Sequence, residues 1–336
     1  MAAIHIRYPG RALVLGDHCD WAGGCSLTIP LPLGIELTAE PSTSSVSVHS
    51  ELDGEVIEGT WAHSDPKPDR GPLRFVPAAI RTLQAAGIHP KPVDLWVKSD
   101  LPAGRGFSSS AAFSLAILDG LSRTASKPLE TAQLVELAYT LENQQLGVPC
   151  GRLDQAACAA AQPLFTRWSI QPSGEMQMTP RRIAPLKVMH FVIGAFSSPR
   201  DTPTILSTLR HHHQSQIPDV DGDAVREALA VFSSSAEAGT HAMINGHAAE
   251  LGQAMNRCQR TYEDALSSRF PVLAAPKLRN TCADLLSVGA LGAKFSGAGG
   301  DGSVLSLFPD ENTARAGAIL LEEWGLQAWY SPAGAP

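Results

Sequence analysis

The chain has 336 residues, 44% of them apolar, enough for two cores or one large one. A net charge of −7, from 26 basic and 33 acidic residues, excludes nucleic acid and anionic membrane as main partners, since both demand clustered Lys and Arg. Six scattered cysteines without a C-x-x-C pair read as reduced thiols of a cytoplasmic protein, and no apolar run is long enough to span a bilayer.

In chain order, residues 12–16, 27–39 and 45–50 have strand-like character broken by Gly and Pro. Residues 62–72 read as a surface loop. A helix is expected over 75–87, closed by Gly87, and a strand over 93–99. Next comes a loop in which Gly104 and Gly106 flank Arg105 and three serines lead into an apolar helix over about 110–123. Residues 131–145 place Leu134, Leu137, Ala138 and Leu141 at helical spacing, and 154–162 form a helix lined with alanine. From about residue 180 a second α/β half follows: a strand over 188–196, helices over about 224–236 and 244–266, and a surface loop at 233–239. Residues 292–308 read as strand, glycine loop, strand, then a helix over 311–325 and a frayed tail at 331–336. His211, His212 and His213 point in different directions on a helix and read as a solvated face. The fold class expected is α+β with two halves, 1–175 and 176–336.

The glycine–serine loop has the chemistry of an anion site. Glycines let backbone N–H groups turn toward a ligand, and the first turn of a helix offers unpaired N–H groups with partial positive charge. Hydroxyls of Ser108, Ser109 and Ser110 can donate to phosphate oxygens or meet a metal. Serine N-capping alone would need one serine and no glycine. No Walker A string occurs. Residues 297–302 match G-x-G-x-x-G, but a strand follows where a dinucleotide fingerprint needs a helix.

Four segments carry a resemblance. Residues 102–112 resemble the P-x-x-x-G-[LF]-x-S-S-A-A motif of the GHMP kinase family. Residues 10–24 resemble the galactokinase signature G-R-x-x-x-x-G-E-H-x-D-[YW]-x-G-G, and residues 142–155 its E-N-x-x-x-G-x-x-C-G-x-x-D-Q segment. Residues 292–302 resemble the family's last glycine loop, so the likeness runs from residue 9 to 302. It points to the galactokinase-like, sugar-kinase branch. It implies an N-terminal domain with the phosphate loop, a C-terminal α/β domain, and an active site in the cleft between them. The reaction implied is transfer of the γ-phosphoryl group of ATP, with Mg²⁺, to a small-molecule hydroxyl. A sugar is the expected acceptor, at its anomeric position.

The resemblance implies roles residue by residue. Asp154 would face the acceptor hydroxyl, though Asp at a helix start is also a common cap. Arg11 would hold Asp154 ionised and stabilise developing charge. Asp17, His18, Asp20 and Gly151 would bind the sugar. Asp17 departs from the usual Glu, and its carboxylate reaches roughly 1.5 Å less far, which puts galactose itself in doubt. Gly104, Arg105, Gly106, Ser108, Ser109, Ser110, Gly297 and Gly299 would cradle the ATP phosphates. Ser110 and Glu142 would meet Mg²⁺. Arg105 and Arg152 break the pattern and could read a uronate or a sugar phosphate. A mevalonate-type alcohol kinase is the alternative, on residues 197–206, and a catalytically silent sugar sensor a further one. Trp61 and Phe75 are weak candidates for the adenine pocket.

Overall fold

The computed structural model describes residues 3–52, 55–197, 201–215 and 219–334. Strand β1 (Ile4–Leu15) and the short helix α1 (Cys19–Ala22) lead into the long strand β2 (Gly24–Pro41). Then come β3 (Val46–Leu52), β4 (Glu55–Trp61), α2 (Phe75–Ala85), β5 (Val93–Ser99) and α3 (Ser109–Thr124). Helix α4 (Thr131–Tyr139) runs into a π-helical turn, Thr140–Gln145, and α5 (Leu153–Ala160) follows. Strands β6 (Leu164–Ile170), β7 (Met176–Arg182) and β8 (Met189–Ala195) precede α6 (Thr202–Gln214), α7 (Val220–Asn245), α8 (Ala248–Thr261) and α9 (Pro276–Ser287). The chain ends through β9 (Gly292–Phe295), β10 (Ser303–Phe308), α10 (Glu311–Glu323) and β11 (Gln327–Ala333). This is the α+β class expected.

Contacts gather the chain into two compact units. The first holds the residues up to Arg11 together with Leu33–Ala161; the second holds Ala12–Pro32 and the chain from Gln162 onward. In the first unit β4, β3, β5 and β2 pair in that order, with β3 parallel to β5 and the other pairs antiparallel. Val46, Val48, Val93, Leu95, Val97, Ile35 and Leu37 alternate onto the buried face, the period-2 pattern of a half-covered sheet. Helix α3 is buried on nearly all sides from Ala111 to Ser122. That fixes the direction of its N-terminus, where the glycine–serine loop enters.

In the second unit β11, β8, β10 and β9 form an antiparallel sheet, and β2 pairs through Gly24–Thr28 with β6, which pairs with β7. β9 lies at an edge of its sheet, and α8 covers its open hydrogen-bonding groups. Asn256 Oδ1 accepts from Ala293 N at 3.0 Å, and Gln259 Oε1 accepts from Phe295 N at 2.9 Å. A strand so pinned delivers the next glycine loop in one place.

Three expectations are corrected. Residues 233–239 are not a loop but the middle of α7. Their small side chains allow close packing: Ser233 Oγ accepts from Cys25 N at 3.0 Å, and a Cβ at Gly239 would lie 2.2 Å from Leu15. Ser331–Ala333 are not a frayed tail but the end of β11, paired with β8. The histidine run is not one solvated face: His211 is exposed, but His212 bonds Asp219 at 3.0 Å and packs on Phe270, and His213 packs on Trp21. Ser198–Arg200, part of the segment behind the mevalonate-type alternative, lie outside the described residues. All six cysteines are free thiols, and no helix among the described residues is long and apolar enough to cross a membrane.

Candidate active site

The first unit carries the phosphate-loop candidates. After β5 the backbone takes left-handed φ at Gly104 (69°), Gly106 (82°) and Ser108 (61°). Two of these are glycine, which adopts that region freely; Ser108 sits there at a cost. Such alternation turns N–H groups to one side of a loop. Ser108 Oγ is buried with no hydrogen-bond partner among the described residues. Ser109 and Ser110 open α3. Arg105 is part-exposed in this loop, and Gly151 is part-exposed just before α5.

Arg11 joins the loop to α5. Its Nη1 donates to Gly106 O at 2.8 Å, and its Nε and Nη2 donate to Asp154 Oδ1 at 2.9 and 2.6 Å. Its own backbone N donates to Phe107 O at 3.2 Å. Arg11 is buried, while the Asp154 side chain is 35% exposed. Both Arg11 bonds fall on Oδ1, so Oδ2 is not used by the clamp. Asp154 stands in the first turn of α5, but Arg152 holds the cap position, so the carboxylate serves Arg11 and not the cap.

Glu142 lies in the π-helical turn and is 2% exposed. A π turn adds a residue to the helical repeat and redirects a side chain, a device common at functional sites. Gln155 Nε2 donates to Glu142 Oε1 at 2.8 Å, and the Ser110 hydroxyl donates to the same carboxylate. Burial raises the Glu142 carboxyl above the usual range, and these donors only partly oppose it. Nearby, an apolar cavity of about 330 Å³ is lined by Ile57, Phe75, Leu101 and Phe113 together with Ser109 and Ser110.

The second unit carries the other two motifs. β1 ends at Leu15, and Gly16 (φ +84°) turns the chain to Asp17 and His18. A Cβ at Gly16 would stand 2.0 Å from Cys25 O. Gly16→Ala is therefore expected to destabilise the protein by about 1–3 kcal/mol from backbone strain alone, with the clash added. Thermal unfolding checks this; an unchanged melting temperature would contradict the turn described.

The structure differs from expectation at Asp17. Its carboxylate is wholly buried and turned to the protein: Lys294 Nζ lies 2.8 Å from Oδ2, and Gly297 N donates to Oδ1 at 2.9 Å. Lys294 is equally buried, close to Phe295 O and 4.3 Å from the Phe295 ring centroid. Burial pushes the Asp17 carboxyl up, and Lys294 with the Gly297 N–H pulls it back. His18 is buried with a left-handed φ of 67°. Trp21 Nε1 donates to His18 Nδ1 at 3.4 Å. Asp20 is part-exposed on α1.

The last glycine loop has left-handed φ at Gly297 (88°), Gly299 (91°) and Gly300 (69°). Tyr262 holds it: its hydroxyl accepts from Gly300 N at 2.8 Å and donates to Leu273 O at 2.6 Å. The Tyr262 ring would meet a Cβ at Gly299 at 2.8 Å. Lys294, Tyr262 and Gln155 are site residues that sequence reasoning missed. The one available signal was a lone lysine inside an otherwise apolar strand, Gly292–Phe295. Arg152 is committed elsewhere: it reaches both Glu136 oxygens at 2.8 and 2.9 Å and stacks 4.2 Å from the Tyr139 ring centroid.

Sequence comparison bears on this arrangement. The family model "GHMP kinases N terminal domain" matches residues 74–162, and "GHMP kinases C terminal" matches residues 240–318. The chain belongs to the GHMP kinase family. The N-terminal match contains the glycine–serine loop, Glu142 and Asp154; the C-terminal match contains Tyr262, Lys294 and the last glycine loop. Among GHMP kinases it is 30% identical to a galactokinase from Pyrococcus furiosus over 166 residues, which is 47% of this chain and 44% of that protein. The match thus spans under half the length of that relative. A mevalonate kinase from Aeropyrum pernix is 25% identical over 315 residues, 91% of this chain and 89% of that protein. The fold matches Lactococcus lactis galactokinase complexed with galactose (TM-score 0.79, 20% identity, 99% of this chain and 94% of that one). It equally matches Methanococcus jannaschii mevalonate kinase (TM-score 0.78, 15% identity, 100% and 99%).

Proposed function

We propose that this chain is an ATP-dependent kinase that phosphorylates a sugar hydroxyl, the anomeric one, to give a sugar 1-phosphate. The observation that carries the proposal is the Arg11 clamp, which binds the glycine–serine loop at Gly106 O and a carboxylate, Asp154, through one buried guanidinium. A kinase of this kind needs a phosphate cradle and an acceptor-orienting carboxylate in fixed relation. In this reading the triphosphate lies along Gly104–Ser110, with its negative charge met by loop N–H groups and the N-terminus of α3. The apolar cavity beside Ser109 and Ser110 would take the adenine ring.

Ser110 and Glu142 fit a magnesium ion. They offer hard oxygen donors, and a dication would offset the burial that raises the Glu142 carboxyl. Bound there, Mg²⁺ would supply charge neutralisation of the phosphates. Gln155 keeps the Glu142 carboxylate aimed. Asp154 orients the acceptor hydroxyl through Oδ2 and takes its proton late, because a loose transition state asks little of a base before then. Arg11 fixes the Asp154 rotamer through its two bonds to Oδ1. His18 and Asp20 have side chains of the kind that exchange hydrogen bonds with neighbouring hydroxyls. Asp17 acts on the glycine loop through Gly297, not on the substrate.

A mevalonate-type alcohol kinase is the second reading, favoured by the relative that matches along 91% of this chain. An ADP-release screen against hexoses, pentoses, uronic acids and mevalonate separates the two. Turnover on a sugar, lost in Asp154→Asn, is the expected result. Turnover on mevalonate alone, or ADP formation with no acceptor, would overturn the sugar reading.

A further inference from the structure

Helix α6 touches both motif segments of the second unit. Ile205, in its first half, lies within van der Waals range of the Cβ position at Gly300. Five residues on, the Arg210 guanidinium sits 5.5 Å from the Trp21 ring centroid, and His213 meets the same indole edge-on at 5.5 Å. Trp21 in turn bonds His18. Three nitrogen-bearing side chains therefore crowd one indole beside Asp20.

Arg210 is the one without an explanation. It is half-buried, and its Nε is out of reach of water with no hydrogen-bond partner among the described residues. Among the described residues it makes no ion pair. Half-buried arginines are ordinarily paired, because a desolvated cation with an unmet N–H is costly. Stacking on an indole recovers part of that cost but does not satisfy the N–H. The guanidinium fork matches carboxylate and phosphate geometry, which an ammonium does not. Arg152, one of the two arginines that the sequence offers for an anionic substrate, is spent on Glu136 and Tyr139.

We propose that Arg210 is a specificity-determining residue that seats an anionic substituent of the acceptor, a carboxylate or a phosphate. The proposal rests on the kinase reading above and narrows its acceptor to a hydroxyl compound bearing negative charge. The outer Nη donors, on the part of the side chain that is not buried, meet the anion, while Trp21 packs against the guanidinium.

The test uses matched acceptor pairs: galactose with galacturonate, glucose with glucuronate, and glucose with glucose 6-phosphate. Mevalonate serves as a non-sugar hydroxy acid. Each is measured for turnover and for its shift of the melting temperature without ATP. The expected result is a preference for an anionic member, with KM raised tenfold or more by Arg210→Met and kcat changed less than threefold. Arg210→Lys, which keeps the charge over Trp21 but loses the fork, should fall between. Uronate and phosphate arms identify the source of the anion. Preference for a neutral sugar that Arg210→Met leaves unchanged would overturn the proposal while sparing the kinase reading. Absence of turnover on every acceptor would overturn the kinase reading. In that case the melting shift decides: a shift with an anionic compound that Arg210→Met removes supports the seat, and none with any of them overturns it.

Discussion

Asp154→Asn is expected to lower kcat by about 10²–10⁴-fold in a protein that still folds. The motive is the geometry at Oδ1 and Oδ2. Asparagine has the same shape and can still accept from Arg11, so the clamp that anchors α5 survives in outline. What it loses is the second anionic oxygen, which in the proposed reaction orients the hydroxyl and finally holds its proton. Arg11 is buried, so losing the charge beside it also lowers stability, and the one-third exposure of the Asp154 side chain limits that loss. Arg11→Met should be broader in its effects. It removes the cation from Asp154 and also the donor to Gly106 O, so the KM for ATP should rise along with the fall in kcat. Because both residues act through one contact, the double variant should be less impaired than the product of the two single effects. Steady-state kinetics on the best acceptor and a thermal melt measure all of this. An Asp154→Asn enzyme within threefold of the parent would remove Asp154 from the mechanism.

How far the site could be read from sequence depends on the range of the physics involved. The glycine–serine loop was legible because its chemistry is local: glycines where φ must be positive and serines at a helix start. The same locality revealed the strand-loop-strand at 292–308. Partner choice was not legible. Nothing near Lys294 in sequence says that it faces Asp17, and no motif marks Tyr262 as the prop of Gly299 and Gly300. Composition also misled where small polar residues serve packing. Ser233 and Gly239 look like loop residues, yet they let α7 approach Cys25 and Leu15 closely. Pro332 lies within β11, which among the described residues pairs only with β8, and an edge strand tolerates proline. Asp17 shows the reverse case: the motif placed it correctly in the chain, and burial then gave it a structural partner instead of a solvent-facing one.

That partner sets up the largest expected loss of stability. Lys294→Met should cost about 3–5 kcal/mol, since it leaves the Asp17 carboxylate buried without its cation. Asp17→Asn should be comparably damaging for the mirror reason, an ammonium stranded in a fully buried position beside Phe295. The pair itself is a different matter. Two charges taken out of water give back in attraction about what they cost in desolvation, so removing both together is far cheaper than removing either. The double variant, Asp17→Asn with Lys294→Met, should therefore recover much of the loss in denaturant unfolding. It should not recover activity to the same degree. A neutral amide in place of the Asp17 carboxylate is a weaker acceptor for Gly297 N–H, so the glycine loop would lose definition even in a stable fold. A double variant as unstable as Lys294→Met alone would show that packing around the lysine chain, not the charge pair, holds this part of the second unit together. Stability restored with activity still reduced would assign the pair to positioning the loop.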